Sequence, residues 1–176
     1  MLKQYFDLKA DVRGDGEYHS IRELVQLDDP EVRDVARVLV QADDFVSAAQ
    51  DFVDSFTTYQ REIGDYWTIP SEVLETRAGD CDDKAILLCS ILRNYIGPED
   101  VFCAIGTQGG EGHMWIVLSD PSGQDRIVEA TAPSSRPVKG NYRLYAIFND
   151  KYAFSYPEGL REFCLLPVEQ EKEAVV

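Results

Sequence analysis

Histidine is scarce in this chain of 176 residues, with only His19 and His113 present. None of the four cysteines (Cys81, Cys89, Cys103 and Cys164) forms a C-x-x-C pair, so the spacings of structural zinc sites are absent. Positive charge is also thin: 17 Lys and Arg stand against 32 Asp and Glu, a net charge of −15. Such a surface repels phosphate backbones and anionic lipid heads, so no nucleic acid and no membrane is expected as a partner. The same surplus favours basic or neutral substrates, or serves solubility alone. There is no run of about 18 apolar residues, which excludes a membrane-spanning helix. The opening Met1-Leu2-Lys3-Gln4-Tyr5-Phe6-Asp7 lacks the apolar core of a secretory signal. The expected location is therefore cytoplasmic, with the thiols reduced.

What is present reads as helices first and strands later, with no repeat and no linker. That order argues for one α+β domain over 1–176, fraying from Glu169 onward. The first thirty residues read as turn-rich, with a loop at Arg13-Gly14-Asp15-Gly16-Glu17, where an Arg-Gly-Asp triplet arises easily by chance. Asp29-Pro30 then starts a helix, carried by Val32, Val35, Ala36 and Leu39. A second helix is expected over about 44–61, with Phe45, Ala48, Ala49, Phe52, Val53 and Phe56 inward and Gly64 beyond its end. Tyr66-Trp67-Thr68-Ile69-Pro70 is an aromatic connector, followed by a helical turn from Ser71. The third strong helical pattern runs from about Cys81 to Tyr95 and is apolar over most of its circumference. Only a narrow strip of Asp82, Ser90, Arg93 and Asn94 is polar, so this helix is buried on several sides. Runs at Val101–Ile105, Met114–Leu118, Arg126–Thr131 and Tyr142–Phe148 are rich in β-branched and aromatic residues and read as strands.

Chemistry concentrates at the mouth of the buried helix. Asp80 is a good N-cap, Asp83 completes a capping-box-like arrangement, and Gly79 permits a tight turn. Cys81 falls in the first helical turn, where the helix N-terminus favours a thiolate and free N–H groups face any oxyanion beside the sulfur. Asp80, Asp82 and Asp83 oppose this, because carboxylates disfavour a nearby thiolate. A positive partner is required. His113 is the candidate, at a strand start after Gly109-Gly110-Glu111-Gly112, where an imidazole can act as general base. His19, in a loop, has no comparable setting. A third group should accept the other imidazole N–H. Glu129 stands in the apolar run Ile127-Val128-Glu129-Ala130-Thr131, where an unpaired carboxylate is costly. Asp120 competes for that role, but Asp-Pro-Ser-Gly explains it as a turn residue. Cys89, Cys103 and Cys164, in apolar stretches, read as small buried hydrophobes.

Three ordered segments carry a family resemblance: Gly79-Asp80-Cys81-Asp82-Asp83, Gly112-His113-Met114-Trp115, and Val128-Glu129-Ala130-Thr131. Together with Tyr66-Trp67-Thr68-Ile69-Pro70 upstream, they resemble the transglutaminase-like superfamily, in its bacterial and archaeal cysteine peptidase branch. The match covers a core of about 45–133. It departs from the family pattern at Glu129, where Asp is the common residue.

The resemblance implies a papain-like, transglutaminase-like core, with the nucleophile helix packed on an antiparallel sheet. It implies acyl transfer on amide bonds through Cys81, His113 and Glu129, with a peptide or protein amide as substrate. A cysteine peptidase or amidase is the first expectation; a protein-glutamine transglutaminase or deamidase is the alternative. A non-catalytic interaction module is the alternative of another class, against which the intact triad argues. The Cys81 N–H would supply one oxyanion donor and the Trp67 indole is a candidate for the second, although packing explains Trp67 equally well. Trp115 is read as packing behind His113. No cofactor is expected, except that some bacterial relatives hold calcium through acids beside the cysteine. Asp80 and Asp82 are the corresponding candidates here, and helix capping explains them too.

Overall fold

In the computed structural model the described residues are 4–5, 8–12, 16–61, 66–156 and 161–164. The N-terminal region is more ordered than its composition implies. Strand β1 (Gln4–Tyr5) is followed by a hairpin of β2 (Lys9–Val12) and β3 (Glu17–Ser20), then a 3-10 turn at Ile21–Leu24. Of the expected loop, Glu17 opens β3, and Arg13-Gly14-Asp15 lies outside the described residues. His19, expected in a loop, belongs to β3, and its Nδ1 lies 3.1 Å from Glu23 Oε2. Ile21, Leu24 and Val25 are buried in the main core.

Helix α1 (Pro30–Leu39) begins where Asp29 and Pro30 place it: the Asp29 carboxylate accepts from the N–H groups of Glu31 and Val32. Helix α2 (Phe45–Phe56) is capped by Asp44 and stops five residues short of the expected Arg61. Thr57 turns to extended backbone (φ −112°, ψ 136°), and Thr58–Tyr59 form β4. These β-branched and aromatic residues leave the helix because they have a partner: β4 pairs in parallel with β5 (Ala78–Gly79), which follows α3 (Pro70–Thr76). Gly64, the expected stop, lies outside the described residues.

Helix α4 (Cys81–Leu92) is the centre of the fold. Its expected polar strip is not a solvent-facing one, since Asp82, Ser90 and Arg93 are all buried, as is Lys84. Three of these four find a partner among their neighbours. Arg93 pairs with Asp150 through Nε at 2.7 Å, Ser90 donates to the Ile86 carbonyl, and Lys84 Nζ lies 4.0 Å from Asp54.

Strands β6 (Val101–Gln108), β7 (Glu111–Ser119), β8 (Asp125–Val128), β9 (Asn141–Phe148), β10 (Ala153–Ser155) and β11 (Arg161–Cys164) join β1 in one antiparallel sheet. The order is β1-β10-β9-β6-β7-β8, and β11 shares the outer edge of β9 with β10. Side chains alternate between two cores. Cys103, Met114, Ile116 and Phe148 face α4, while Phe102, Trp115, Tyr142 and Leu144 fill a second cluster. The fold is α+β, with a buried helix on an antiparallel sheet, as expected. Among the described residues no helix is long and apolar enough to cross a membrane. The stretch from Glu169 lies outside them.

Candidate active site

Cys81 owes its position to the two-stranded ladder just before it. Gln60 donates to the Gly79 carbonyl (3.0 Å) and Thr58 to that of Arg77 (2.8 Å), so the chain enters α4 from a fixed direction. Gly79 matters for a different reason from the expected tight turn. A Cβ there would lie 2.7 Å from Asp83 Cβ, so glycine is what lets Asp83 fold back over the helix start. Asp83 Oδ2 then accepts from the Asp80 N–H (3.3 Å) and Oδ1 from the Thr68 N–H (2.8 Å). Asp83 is therefore a strut between the Trp67-Thr68 connector and the nucleophile helix. Burial raises its carboxyl pKa to about 6, against the lowering effect of the Thr68 hydrogen bond.

His113 is the third residue of β7, opposite Gly106 on β6. A Cβ at Gly106 would fall 1.8 Å from the Arg143 carbonyl oxygen and 2.7 Å from the Trp115 ring. This glycine permits β9 to close on β6 where the register shifts. It also leaves room for Trp115, which is fully buried and stacks on His113 with ring centroids 6.0 Å apart. The packing role expected of Trp115 is the observed one.

Glu129, expected within a strand, is the first residue beyond β8. The turn that follows is braced by α2, where Gln50 Nε2 donates to the Ala132 carbonyl and Asp51 accepts from the Ser134 N–H. Glu129 faces His113, whose Nε2–H donates to both carboxylate oxygens at 3.0 and 3.1 Å. With Nε2 so engaged, Nδ1 is the nitrogen left for Cys81, which lines the same cleft as the imidazole. Burial alone would lower the His113 pKa. The hydrogen bonds and charges of Cys81 and Glu129 outweigh it and carry the value up to about 9. The structure thus brings Cys81, His113 and Glu129 into one chain of contacts.

Asp120 stays in its turn, accepting from the N–H groups of Ser122 and Gln124. Cys89 and Cys103 are buried free thiols, and burial raises the Cys103 thiol pKa. The backbone of Cys164 lies in β11. Three further residues surround Glu129: Tyr142, Thr131 and, behind the tyrosine, Gln108. They carry no motif. One signal was available in Tyr142, an inward position of an alternating strand, because a buried tyrosine hydroxyl needs a partner.

A cleft of about 830 Å³ opens over the thiol, lined by Tyr59, Trp67, Cys81, Gln108, Glu111 and His113. Trp67 stacks its ring on Phe148 at 6.1 Å, the packing reading, and also borders the cleft. In the same cleft, ligand atoms of Asp80, Cys81 and Asp82 lie within 4.8 Å of one another. Asp80 Oδ1 is buried without a hydrogen-bond partner. Burial, a hydrogen bond to Asp80 and the charges of Asp83, Asp80 and Cys81 push the Asp82 carboxyl pKa far up. Two adjacent, poorly satisfied carboxylates fit a hard divalent cation by their donor chemistry, with further oxygens to come from water.

A buried helix presenting a cysteine to a histidine on an antiparallel sheet defines a transglutaminase-like protein of the cysteine peptidase type. Residues 65–152, half of the chain, match the CEP76 peptidase-like domain. The chain belongs to that family. Among solved structures it is similar to LapG of Legionella pneumophila, at 18% identity and a TM-score of 0.55 over 77% of this chain and 83% of that one. EGTA-treated LapG of the same organism aligns at 19% identity and TM-score 0.52, covering 84% of this chain and 87% of that one. Its calcium-bound form gives 18% and 0.54, covering 77% and 82%. These likenesses establish the shared fold. No curated protein matches the chain.

Proposed function

We propose that this protein is a cysteine peptidase or amidase in which Cys81 is the nucleophile, His113 the acid–base and Glu129 the group that orients the imidazole. The carrying observation is His113 itself, held by both oxygens of Glu129 and sharing the cleft with the Cys81 thiol, whose nearness helps raise its pKa. With its pKa raised to about 9, the imidazole is protonated at neutral pH and ready to donate to a leaving amine.

The proton of the Cys81 thiol resides on His113 when the sulfur attacks the amide carbonyl. A C–S bond forms and the carbonyl π pair moves to oxygen, facing the Cys81 N–H at the helix start and, as the candidate second donor, the Trp67 indole. Collapse breaks the C–N bond, and the amine takes the His113 proton. Water then gives a proton to His113 and attacks the thioester. The C–S bond breaks, the thiol is restored, and the net change is amide plus water to acid plus amine. Glu129 keeps Nε2 occupied throughout, so Nδ1 handles every proton. Asp80 and Glu111 on the cleft rim, against the single arginine Arg61, suit a neutral or basic peptide over an acidic one.

Calcium belongs to the same proposal. Asp80 and Asp82 would hold it, and its charge would offset the two carboxylates beside the nucleophile. The calcium-bound LapG structure and the orphaned Asp80 oxygen support this reading.

Limiting iodoacetamide across pH 5 to 9, with the alkylated cysteine mapped by mass spectrometry, tests the nucleophile without a known substrate. Cys81 is expected to label well ahead of Cys89 and Cys103, and His113→Ala to slow it roughly 10-fold or more at pH 7. Equal labelling of the three thiols, or no effect of His113→Ala, refutes the assignment.

A further inference from the structure

A buried carboxylate that orients an imidazole must itself be held. Glu129 is only 6% exposed and accepts from three neighbours. Beyond the two contacts from His113, the Tyr142 hydroxyl donates to Oε1 at 2.7 Å and the Thr131 hydroxyl to Oε2 at 3.1 Å. Each oxygen therefore has one donor from the imidazole and one from elsewhere, which fixes the carboxylate plane against rotation about its last bond.

Tyr142 is directed in turn. Gln108 is its strand partner in the β6–β9 register, and the Gln108 amide donates to the Tyr142 oxygen at 2.7 Å. An amide NH2 can only donate, so it takes a lone pair of the phenol, and the single phenolic proton points to Glu129. The tyrosine ring is locked as well: it is 1% exposed, meets Trp115 edge-on at 5.1 Å and lies 6.3 Å from the His113 ring. Ring packing alone would be served by phenylalanine. The hydroxyl, seated between an obligatory donor and a carboxylate, needs another explanation.

We infer that Tyr142, directed by Gln108, is a positioning residue that holds Glu129 as a pure proton acceptor and so keeps His113 Nδ1 turned toward Cys81. The inference rests on the proposed roles of Cys81, His113 and Glu129. Gln108 also borders the cleft over the thiol, so the chain of hydrogen bonds runs from the substrate side to the back of the triad. Thr131 holds the second oxygen and leaves the directing role to Tyr142.

The test is a double-mutant cycle read at the sulfur. The second-order rate of Cys81 alkylation by iodoacetamide at pH 7 is measured for the wild type, Tyr142→Phe, Glu129→Gln and the double variant. Cys89 labelling and thermal melts serve as folding controls. Tyr142→Phe keeps the ring and is expected to slow Cys81 about 3- to 10-fold, and Glu129→Gln about 10-fold or more. The double variant is expected to match Glu129→Gln within about twofold, because Tyr142 acts only through the charge at position 129. Wild-type labelling of Tyr142→Phe, or a full multiplication of the two effects, overturns the inference while leaving the triad intact. Wild-type labelling of Glu129→Gln instead overturns the role of Glu129, and this inference with it. Should Tyr142→Phe fail to fold, Gln108→Met removes the directing donor from the cleft side. It is expected to slow Cys81 about two- to threefold in the wild-type background and not in Glu129→Gln, and any other pattern overturns the inference.

Discussion

Two groups of carboxylates flank His113 and Cys81, and they are treated in opposite ways. Glu129 is buried, yet every oxygen has two donors. Asp82 is nearly as enclosed and Asp80 is half-buried, yet they neighbour one another, and one Asp80 oxygen has no donor at all. The difference lies in what surrounds them. Glu129 sits among an imidazole, a phenol and a hydroxyl, whereas Asp80 and Asp82 have acids and a thiol for company. A buried anion is stable where donors replace its water, and otherwise it binds a proton or a cation. The first arrangement is finished within the chain; the second is open to something from solution.

The largest expected effect comes from breaking the finished side. Glu129→Ala strands the imidazolium, the phenol and the Thr131 hydroxyl, and should cost about 3 kcal/mol or more, a fall of roughly 6–12 °C in Tm by calorimetry. A midpoint unchanged from wild type would mean that the donors around Glu129 are idle. Next in size is a pH effect. A group whose folded pKa is raised, as in His113, contributes stability that is complete below its unfolded value near 6.5 and lost as pH rises through about 9. Stability should therefore decline between about pH 6.5 and 9, by on the order of 2–3 kcal/mol, and His113→Gln should flatten that slope. An equally steep decline in the variant would assign the slope to other groups. Smallest is relief of the open side. Asp82→Asn should raise Tm at pH 7 by roughly 2–4 °C without calcium and abolish any gain from millimolar calcium. A calcium-dependent gain that survives in Asp82→Asn would remove Asp82 from the proposed cation site.

Several features were legible in the chain itself. Asp29-Pro30 marks the start of α1 to the residue, because capping is a local matter settled by neighbours in sequence. The apolar circumference of α4 identifies it as the central helix for the same reason. Cys81, His113 and Glu129 stood out because each breaks its local pattern, and the structure brings all three together. What escaped depends on partners distant in sequence. The end of α2 is set by β5, some twenty residues on, which draws Thr58–Tyr59 into extended pairing. Buried Asp82, Ser90 and Arg93 look like a solvent strip on a helical wheel, and only tertiary neighbours reveal otherwise. Tyr142, Thr131 and Gln108 are ordinary strand and turn residues until the sheet gathers them around one carboxylate.

The N-terminal hairpin carries no motif, yet the backbone N–H of Trp67 donates to the Asp11 carbonyl at 2.9 Å and its backbone bridges to Val12. The wall of the cleft is thus stitched to a segment more than fifty residues earlier, outside the stretch that the family shares. Ile21 and Leu24 continue the seam by sealing the core around α4. A fragment cut where the resemblance begins would keep every residue of the triad and lose the lining that holds them in place. Kinship of sequence and integrity of packing draw different borders on this molecule.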